Sequence, residues 1–206
     1  MCLGLCLLPA ARTQESQQEK RERELRMADI AQALGVTAGS KVADIGAGGG
    51  DFEGMMSRAA GAEGRVYAED ISQDALKRLR ERVKKDHLAN VEAIEGVADD
   101  PKLPGGLDGA FMVIAYHEVE NHEKMLEHVL AALKPGGRFV VVDMAPHKTA
   151  ARPRADQVKN HVIAAELVEG ETRAAGFEVV SRDDHFIDHP DEESTRWMIV
   201  ARKPGR

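Results

Sequence analysis

The stretch DIGAGGGD at residues 44–51 decides the fold, because it places four glycines directly after a short apolar run. That run, KVADI at 41–45, has the β-branched residues of a strand, and a helix is predicted to begin near Asp51. Glycines between a strand and a helix allow a sharp turn and let a ligand lie against bare backbone. The same glycines could instead serve only to tighten the turn. The stretch therefore predicts a strand, a turn and a helix with a candidate ligand site.

Strands and helices alternate through most of the chain. Apolar residues at helical spacing follow the second and fourth predicted strands, and Ser72 is placed to cap the first of these helices. Alternation of this kind indicates an α/β protein with a mostly parallel sheet. The first five strands are predicted at 41–45, 65–69, 91–95, 107–115 and 138–142.

The last part of the chain has a different order of elements. A helix from Ala164 to Ala175 precedes two strands, FEVVSRDDHFI and TRWMIVARK, with only the polar loop HPDEES between them. Two successive strands joined by a short loop form an antiparallel pair. The predicted fold is therefore α/β, a single Rossmann-like doubly wound, mostly parallel seven-stranded sheet with a C-terminal antiparallel hairpin.

Composition limits the classes of function. The 206 residues are enough for one domain. Acidic residues outnumber basic ones by 35 to 28, which argues against nucleic acid as a partner, since phosphates attract a basic surface. No apolar run reaches the roughly 18 residues of an integral membrane segment. The two cysteines, Cys2 and Cys6, cannot supply a disulfide framework or a thiolate metal site.

The N-terminal stretch MCLGLCLLPAARTQES is apolar at first and then polar. It lacks the Lys or Arg that precedes the apolar part of a secretory signal. Residues 1–22 are interpreted either as a tail or as the remnant of a clipped signal peptide, and residues 23–206 as the domain. A cytoplasmic location is expected, and an exported or periplasmic one is the alternative if residues 1–13 are a truncated signal peptide.

The glycine turn does not match the pattern of a dinucleotide site. That pattern has glycines at its first, third and sixth positions, and the sixth position counted from Gly46 is Asp51. Asp44 and Asp51 also flank the turn, and two carboxylates would oppose the diphosphate that a helix N-terminus attracts. A ligand that carries a positive charge fits this turn better.

Three stretches together resemble the class I S-adenosylmethionine-dependent methyltransferases, namely VADIGAGGG at 42–50, VYAEDIS at 66–72 and LKPGGRFVVVD at 133–143. The resemblance runs from about Arg23 to the C-terminus and includes the hairpin, which that family inserts into its sheet. It implies S-adenosyl-L-methionine as cofactor and methyl transfer to an unidentified small-molecule acceptor. An NAD-dependent oxidoreductase, an aminopropyl transferase that uses the decarboxylated cofactor, and a non-catalytic S-adenosylmethionine-binding protein remain as alternatives, because a fold does not determine a function.

The resemblance also implies which residues bind the cofactor. Asp44 would hold its ammonium group, the glycine turn would pass under its methionine part, and Asp70 would take both ribose hydroxyls, with Ile71 against the adenine. Glu69 precedes Asp70 where the family usually has an apolar residue, and strand alternation predicts that the two carboxylates point to opposite sides. The expected cofactor-binding residues are Asp44, Gly46, Ala47, Gly48, Asp70, Ile71, Ala98, Asp99 and Ala115.

The loop after the third strand departs from the family pattern. Many members have an aspartate directly after a glycine there, in contact with the adenine amino group, whereas Val97 follows Gly96 in this sequence. Two interpretations are open. Either Asp99 makes that contact from a shifted loop, or backbone groups of Val97 and Ala98 make it.

The catalytic residues are expected in AYHEVENH, 115–122, at the end of the fourth strand and beside the cofactor. His117 and Glu118 are the candidates, since a histidine titrates near neutrality and can take a proton from an acceptor. The alternative is that His117 caps the next helix or bonds backbone. Tyr116 is predicted to line the pocket.

No metal site is predicted. His117, His122 and His128 are five and six residues apart, which does not place them on one helical face. Metal-dependent catechol methyltransferases in the family carry carboxylates where this chain has Ala115 and Tyr116.

A long basic segment, 144–163, follows the fifth strand. Long loops in compact domains often cover a binding site. The segment is interpreted either as a solvated loop or as a flap that favours an anionic acceptor. Its basic residues are Lys148, Arg152, Arg154 and Lys159, with His147 and His161 near its ends.

Overall fold

A sheet of seven strands runs through the part of the chain that the structure describes. The computed structural model describes residues 17–146, 152–187 and 194–205. The strands are β1 (Lys41–Ile45), β2 (Arg65–Asp70), β3 (Val91–Glu95), β4 (Leu107–Val113), β5 (Leu133–Pro146), β6 (Glu178–Ile187) and β7 (Ser194–Arg202). Their order across the sheet is β3-β2-β1-β4-β5-β7-β6.

The strand pairing confirms the predicted fold class. The first five strands are parallel to one another, and β7 pairs antiparallel with β5 on one side and with β6 on the other. β1 lies between β2 and β4, where the order of the strands reverses. In open α/β sheets, ligands bind at the carboxyl ends of the strands beside such a reversal. The glycine turn therefore follows the strand at which a ligand site is expected.

Helices cover both faces of the sheet. Apolar side chains of α1, α2 and α3 pack with Val140 and Val142 of β5, whereas those of α4 and α6 pack with Phe139 and Val141. Successive residues of a strand point to opposite faces, so a strand covered on both faces is apolar at every position. The helices are α1 (Gln17–Leu34), α2 (Glu53–Ala60), α3 (Gln73–Lys85), α4 (His122–Ala132), α5 (Arg154–Val158) and α6 (Ala165–Ala174).

The end of β4 differs from the prediction. β4 ends at Val113 and not at Ala115, because Ile114 has a left-handed φ of 53° and Tyr116–Glu118 form a short 3₁₀ turn. A β-branched residue rarely adopts this conformation, so apolar patterning cannot indicate it. The turn carries the chain away from the sheet directly after the strand.

The sequence predicts one long loop over residues 144–163, but the structure places parts of a strand and a helix there. β5 is longer than the predicted 138–142 and continues to Pro146, and α5 lies within the second half of the segment. His147 and Lys148 lie outside the described residues.

At its N-terminal end, the described chain begins with a helix. α1 starts at Gln17, ahead of the domain start predicted at Arg23. The candidate signal stretch, residues 1–13, lies outside the described residues. None of the helices in the described ranges has the length and apolar character that crossing a membrane requires.

Candidate functional site

The glycine turn is held by the end of β2. The backbone amides of Gly46 and Ala47 donate to the Glu69 carbonyl at 3.0 and 2.8 Å, and the amide of Gly48 donates to Asp70 Oδ2 at 2.8 Å. Gly46 and Gly48 have φ values of 76° and 57°, in the left-handed region that favours glycine. The turn is therefore fixed against the neighbouring strand before any ligand arrives.

Two glycines of the turn have different surroundings. A Cβ atom on Gly46 would lie 2.8 Å from the Cβ of Ala115, whereas one on Gly48 would meet nothing within 4 Å. Gly46 therefore needs to be glycine because the turn packs directly on the chain that follows β4. Gly48 faces open space, where a ligand could lie against the backbone.

A pair of buried carboxyls lies beneath the turn. Asp44 at the end of β1 and Glu53 at the start of α2 are 2% and 0% exposed, and Asp44 Oδ2 and both Glu53 oxygens have no hydrogen-bond partner among the described residues. Burial first, and then the charge of Glu53, raise the pKa of Asp44 well above its usual value, and burial also raises the pKa of Glu53. Two adjacent buried acids are suited to a cationic group.

Glu53 was missed by the sequence analysis. An acidic residue in the first turn of a helix is usually explained by the helix dipole and solvent, so its position carried no signal of burial. Asp44, in contrast, was predicted as a cofactor ligand, and the structure places it beside Glu53.

Glu69 and Asp70 both lie against the glycine turn, although strand alternation predicted that they would diverge. Glu69 is buried, and its Oε2 accepts a 3.4 Å hydrogen bond from the Gly46 amide. Burial is the largest cause that raises the pKa of Glu69 to about 8. Asp70 is half-buried, and its two oxygens accept from the amides of Gly48 and Ser72, each at 2.8 Å. Of the two, Asp70 is the carboxylate that reaches the surface.

Exposed apolar residues follow β2 and β3. Ile71 and Val97 are 58% and 43% exposed, which is unusual for large apolar side chains in this protein. Val97 and Asp100 close a tight turn through reciprocal backbone hydrogen bonds of 2.9 and 3.1 Å. Asp99, within that turn, is paired with Lys124 at 3.3 Å. The Asp99 carboxylate is thus engaged by Lys124, and the backbone groups of Val97 are engaged by Asp100.

His117 is held by a buried carboxylate that the sequence analysis did not single out. This carboxylate belongs to Asp143, near the end of β5. Asp143 is fully buried, and His117 is 5% exposed. Asp143 Oδ2 accepts from the His117 amide at 3.0 Å, and Oδ1 lies 2.8 Å from Nδ1 of the ring. Burial alone would lower the pKa of His117, but the hydrogen bond and charge of Asp143 outweigh it and raise that pKa. The capping alternative does not hold, since Asn121 caps α4.

The other side of the His117 ring faces two further polar residues. Nε2 lies 3.7 Å from Glu118 Oε1, and the ring of His161 meets the His117 ring edge to face, with centroids 5.8 Å apart. Glu118 and His161 are exposed, whereas His117 is buried beneath them. His161 comes from the turn after α5, and no local spacing in the sequence connects it with His117.

Glu171 of α6 holds the parts of the chain that lie next to His117. Its carboxylate accepts from the Tyr116 hydroxyl at 2.7 Å and from Arg154 Nε at 2.8 Å, and it lies 3.4 Å from His122 Nε2. The prediction that Tyr116 lines the pocket is wrong, because Tyr116 is fully buried and bonded to Glu171. Arg154 likewise holds α5 in place and is not free to attract an anionic acceptor.

The chain is similar to methyltransferases along its length. Residues 42–137 match the model of a family described as "Methyltransferase domain". The ubiquinone/menaquinone biosynthesis C-methyltransferase UbiE of Idiomarina loihiensis is 36% identical over 180 residues, which cover 81% of this chain and 67% of that protein. UbiE of Pseudomonas putida is 28% identical over 173 residues, with 81% and 65% covered. The chain thus spans about two thirds of the length of these curated relatives.

Solved structures share the fold at lower identity. An S-adenosylmethionine-dependent methyltransferase from Aquifex aeolicus has a TM-score of 0.73 at 22% identity and covers 92% of this chain and 100% of its own. Geranyl diphosphate C-methyltransferase from Streptomyces coelicolor has a TM-score of 0.73 at 13% identity, with 95% and 89% covered. The [4+2]-cyclase SpnF has a TM-score of 0.77 at 18% identity, with 93% and 84% covered.

Proposed function

Since the chain belongs to the class I S-adenosylmethionine-dependent methyltransferase family, we propose that it transfers a methyl group from S-adenosyl-L-methionine to a small-molecule acceptor. The observation that carries this proposal is the open face of Gly48 beside the buried Asp44, whose Oδ2 has no donor among the described residues. The first offers bare backbone to a ligand, and the second is suited to a positive charge.

The residues present fit the cofactor. Asp44 would hold its ammonium group, with Glu53 adding negative charge from α2. Gly46, Ala47 and Gly48 would lie along its methionine part. The unpaired Asp44 Oδ2 supports this assignment, because a buried carboxylate oxygen without a donor is costly unless a ligand supplies one.

Ribose and adenine would lie along the ends of β2 and β3. Asp70 already accepts two backbone hydrogen bonds, which orient its carboxylate and leave further lone pairs for ribose hydroxyls. The exposed side chains of Ile71 and Val97 offer apolar surface to the adenine. We propose the backbone near Ala98, and not Asp99, as the polar contact of the adenine, since Asp99 is paired with Lys124.

When bound, the cofactor supplies an electrophilic methyl group and its own leaving group, so the chain has mainly to align the acceptor. Ala115 packs against Gly46, and the chain from Ala115 leads directly to His117 and Glu118. These two residues therefore border the space beside the methionine end of the cofactor. We propose that they assist removal of a proton from the acceptor.

Calorimetric titration tests the cofactor assignment. S-adenosylmethionine and S-adenosylhomocysteine are expected to bind one per chain, and NAD is not. Binding of NAD without S-adenosylmethionine would support the oxidoreductase alternative and overturn the proposal.

Turnover tests the reaction itself. The names of the relatives make biosynthetic precursors of ubiquinone and menaquinone the first acceptors to try, with methyl-labelled cofactor. His117→Ala should lower turnover by about 10²–10⁴-fold and leave cofactor affinity unchanged. His87→Ala is the matched control, at an exposed histidine between α3 and β3 and so at the opposite end of the sheet. If cofactor binds and no acceptor in a broad metabolite panel is methylated, the non-catalytic alternative is favoured. A cytoplasmic location is proposed with this activity, and cell fractionation tests it.

A further inference from the structure

His117, Glu118 and His161 bring three ligand atoms together beside the proposed acceptor space. Glu118 Oε1 lies 3.7 Å from His117 Nε2 and 3.8 Å from His161 Nδ1, and the three atoms lie within 4.8 Å of one another. We propose that this histidine cluster binds a divalent first-row transition metal ion such as Zn²⁺. Two imidazole nitrogens and one carboxylate are a ligand set that such ions accept readily.

The spacing of the three atoms is close to what a shared ion needs. Ligands at about 2.0–2.2 Å from one ion are separated from each other by about 3.0–3.5 Å. The two separations from Glu118, 3.7 and 3.8 Å, exceed this by a few tenths of an ångström, and the two histidine nitrogens lie within 4.8 Å of each other. The Glu118 and His161 side chains are 68% and 76% exposed, so rotation of either can close the difference.

His117 has the surroundings of a metal-ligating histidine. Asp143 accepts the hydrogen bond from Nδ1, which leaves the lone pair of Nε2 directed at Glu118 and His161. A carboxylate behind the ring fixes its orientation and raises its basicity, as commonly found behind metal ligands. Because Asp143 also holds the His117 amide, this ligand is positioned in advance.

His161 is also positioned by buried contacts, although its side chain is exposed. Ile163, two residues further on, donates to the Met144 carbonyl at 2.7 Å and accepts from Trp197 Nε1 at 2.8 Å. Gln157, buried before the turn, accepts from the Ala164 amide at 2.7 Å. The turn that carries His161 is thus tied to β5 and β7. The histidines within 117–128 gave no sign of a metal site, because the third ligand comes from this distant turn.

Three protein ligands leave further positions on the ion open. An oxygen of the acceptor can occupy one of them, on the side that faces Ala115 and the glycine turn. Coordination lowers the pKa of an acceptor hydroxyl, so in this role His117 and Glu118 assist removal of its proton by holding the ion and not as bases, and the proton passes to water at the exposed side of the cluster. This role rests on the proposed function, whereas metal binding itself does not.

Metal titration of the whole chain, purified without a histidine tag and treated with chelator, tests the proposal. Zn²⁺ is expected to bind at one per chain with micromolar or tighter Kd, and Co²⁺ to give an absorbance spectrum of a nitrogen- and oxygen-ligated site. His161→Ala and Glu118→Gln should each weaken Zn²⁺ binding at least tenfold. Both side chains are exposed, so these variants should fold, and His128→Ala is the control that keeps wild-type affinity.

Two results would overturn the metal site: no stoichiometric Zn²⁺ binding, or wild-type affinity in both His161→Ala and Glu118→Gln. Titration of S-adenosylmethionine on the same samples separates this proposal from the proposed function. Cofactor binding without Zn²⁺ binding would overturn the proposed metal site and leave the proposed function standing. Zn²⁺ binding without cofactor binding would overturn the proposed function and support the metal site.

Discussion

Asp143 accepts two hydrogen bonds from His117, one from the backbone amide at 3.0 Å and one from the ring Nδ1 at 2.8 Å. Asp143 lies near the end of β5 and His117 follows β4, so one buried carboxylate fixes both the main chain and the side chain beyond the neighbouring strand. The same carboxylate also accepts from the Met144 amide at 2.7 Å. Three donors therefore converge on a single side chain.

Asp143→Asn should lower the free energy of unfolding by about 1–3 kcal/mol, because an amide has one acceptor oxygen for these three donors. Urea denaturation measures the loss. Asp108→Asn is the control, since Asp108 also accepts from a backbone amide, that of Lys41, and from Lys134, but is only half-buried. Equal losses in both variants would show that burial of Asp143 is not what makes it important.

Asp70→Ala should weaken S-adenosylmethionine binding about tenfold or more, because lost hydrogen bonds to a charged group cost about 1.5–3 kcal/mol. Calorimetry measures the affinity, and Asp74→Ala in the first turn of α3 is the control. If affinity falls in Glu69→Gln and stays constant in Asp70→Ala, the ribose carboxylate is Glu69 and the assignment is wrong.

Gly48→Val should abolish cofactor binding with little effect on the fold. The side chain would enter the open space beside the turn, and the cost to the free protein is limited to the left-handed backbone, about 1–2 kcal/mol. Gly106→Val is the control, with a φ of 81° and open surroundings before β4, at the opposite end of the sheet. Comparable loss of binding in both variants would mean that strain, and not blocked space, is responsible.

Glu69 makes stability depend on pH. Burial raises its pKa from 4.5 to about 8, so between these values the unfolded chain is ionised and the folded chain holds a proton. The stability that the neutral carboxyl contributes is therefore complete below about pH 4.5 and is lost as pH rises toward 8, by roughly 1 kcal/mol per pH unit. Glu69→Gln stays neutral, and its Tm should fall less over this range than that of the wild type. Glu95→Gln, at an exposed carboxyl, should keep the wild-type slope, and an unchanged slope in Glu69→Gln would contradict the prediction.

Cofactor binding should release protons. Asp44 is protonated in the free protein up to an unusually high pH, because burial and Glu53 raise its pKa, and an ammonium group requires the ionised form. Affinity should then rise with pH, and binding heats should differ between buffers of different ionisation enthalpy. Glu53→Gln should reduce the released fraction. Identical heats in both buffers would exclude this coupling.

The fold and the cofactor side of the site could be predicted because their signals are local. The glycine turn, its preceding strand and the acidic end of the next strand each lie within a few residues, and the family resemblance and the fold class are both confirmed. The assignment of individual residues such as Asp70 stays a prediction, supported by its contact with Gly48.

The acceptor side could not be predicted in the same way, because its contacts join distant parts of the chain. His161 approaches His117 only through the packing of α5 and the turn after it. In the sequence, Asp143 simply follows a buried strand, so its contact with His117 has no local signal. Ile114 adopts a backbone conformation that its residue type disfavours. Glu53 has the sequence position of a solvated helix start, yet it is buried.

The place of β7 in the sheet also determines when the domain can be completed. β5 pairs with β7 from Arg138 to Pro146, although β6 is made first and ends at the outer edge. During synthesis, β5 therefore leaves the ribosome with one long apolar edge unpaired, and such edges promote association with other chains. A nascent chain that stops before Ser194 would retain that edge, and we expect such a chain to associate with other chains more readily than one that includes β7.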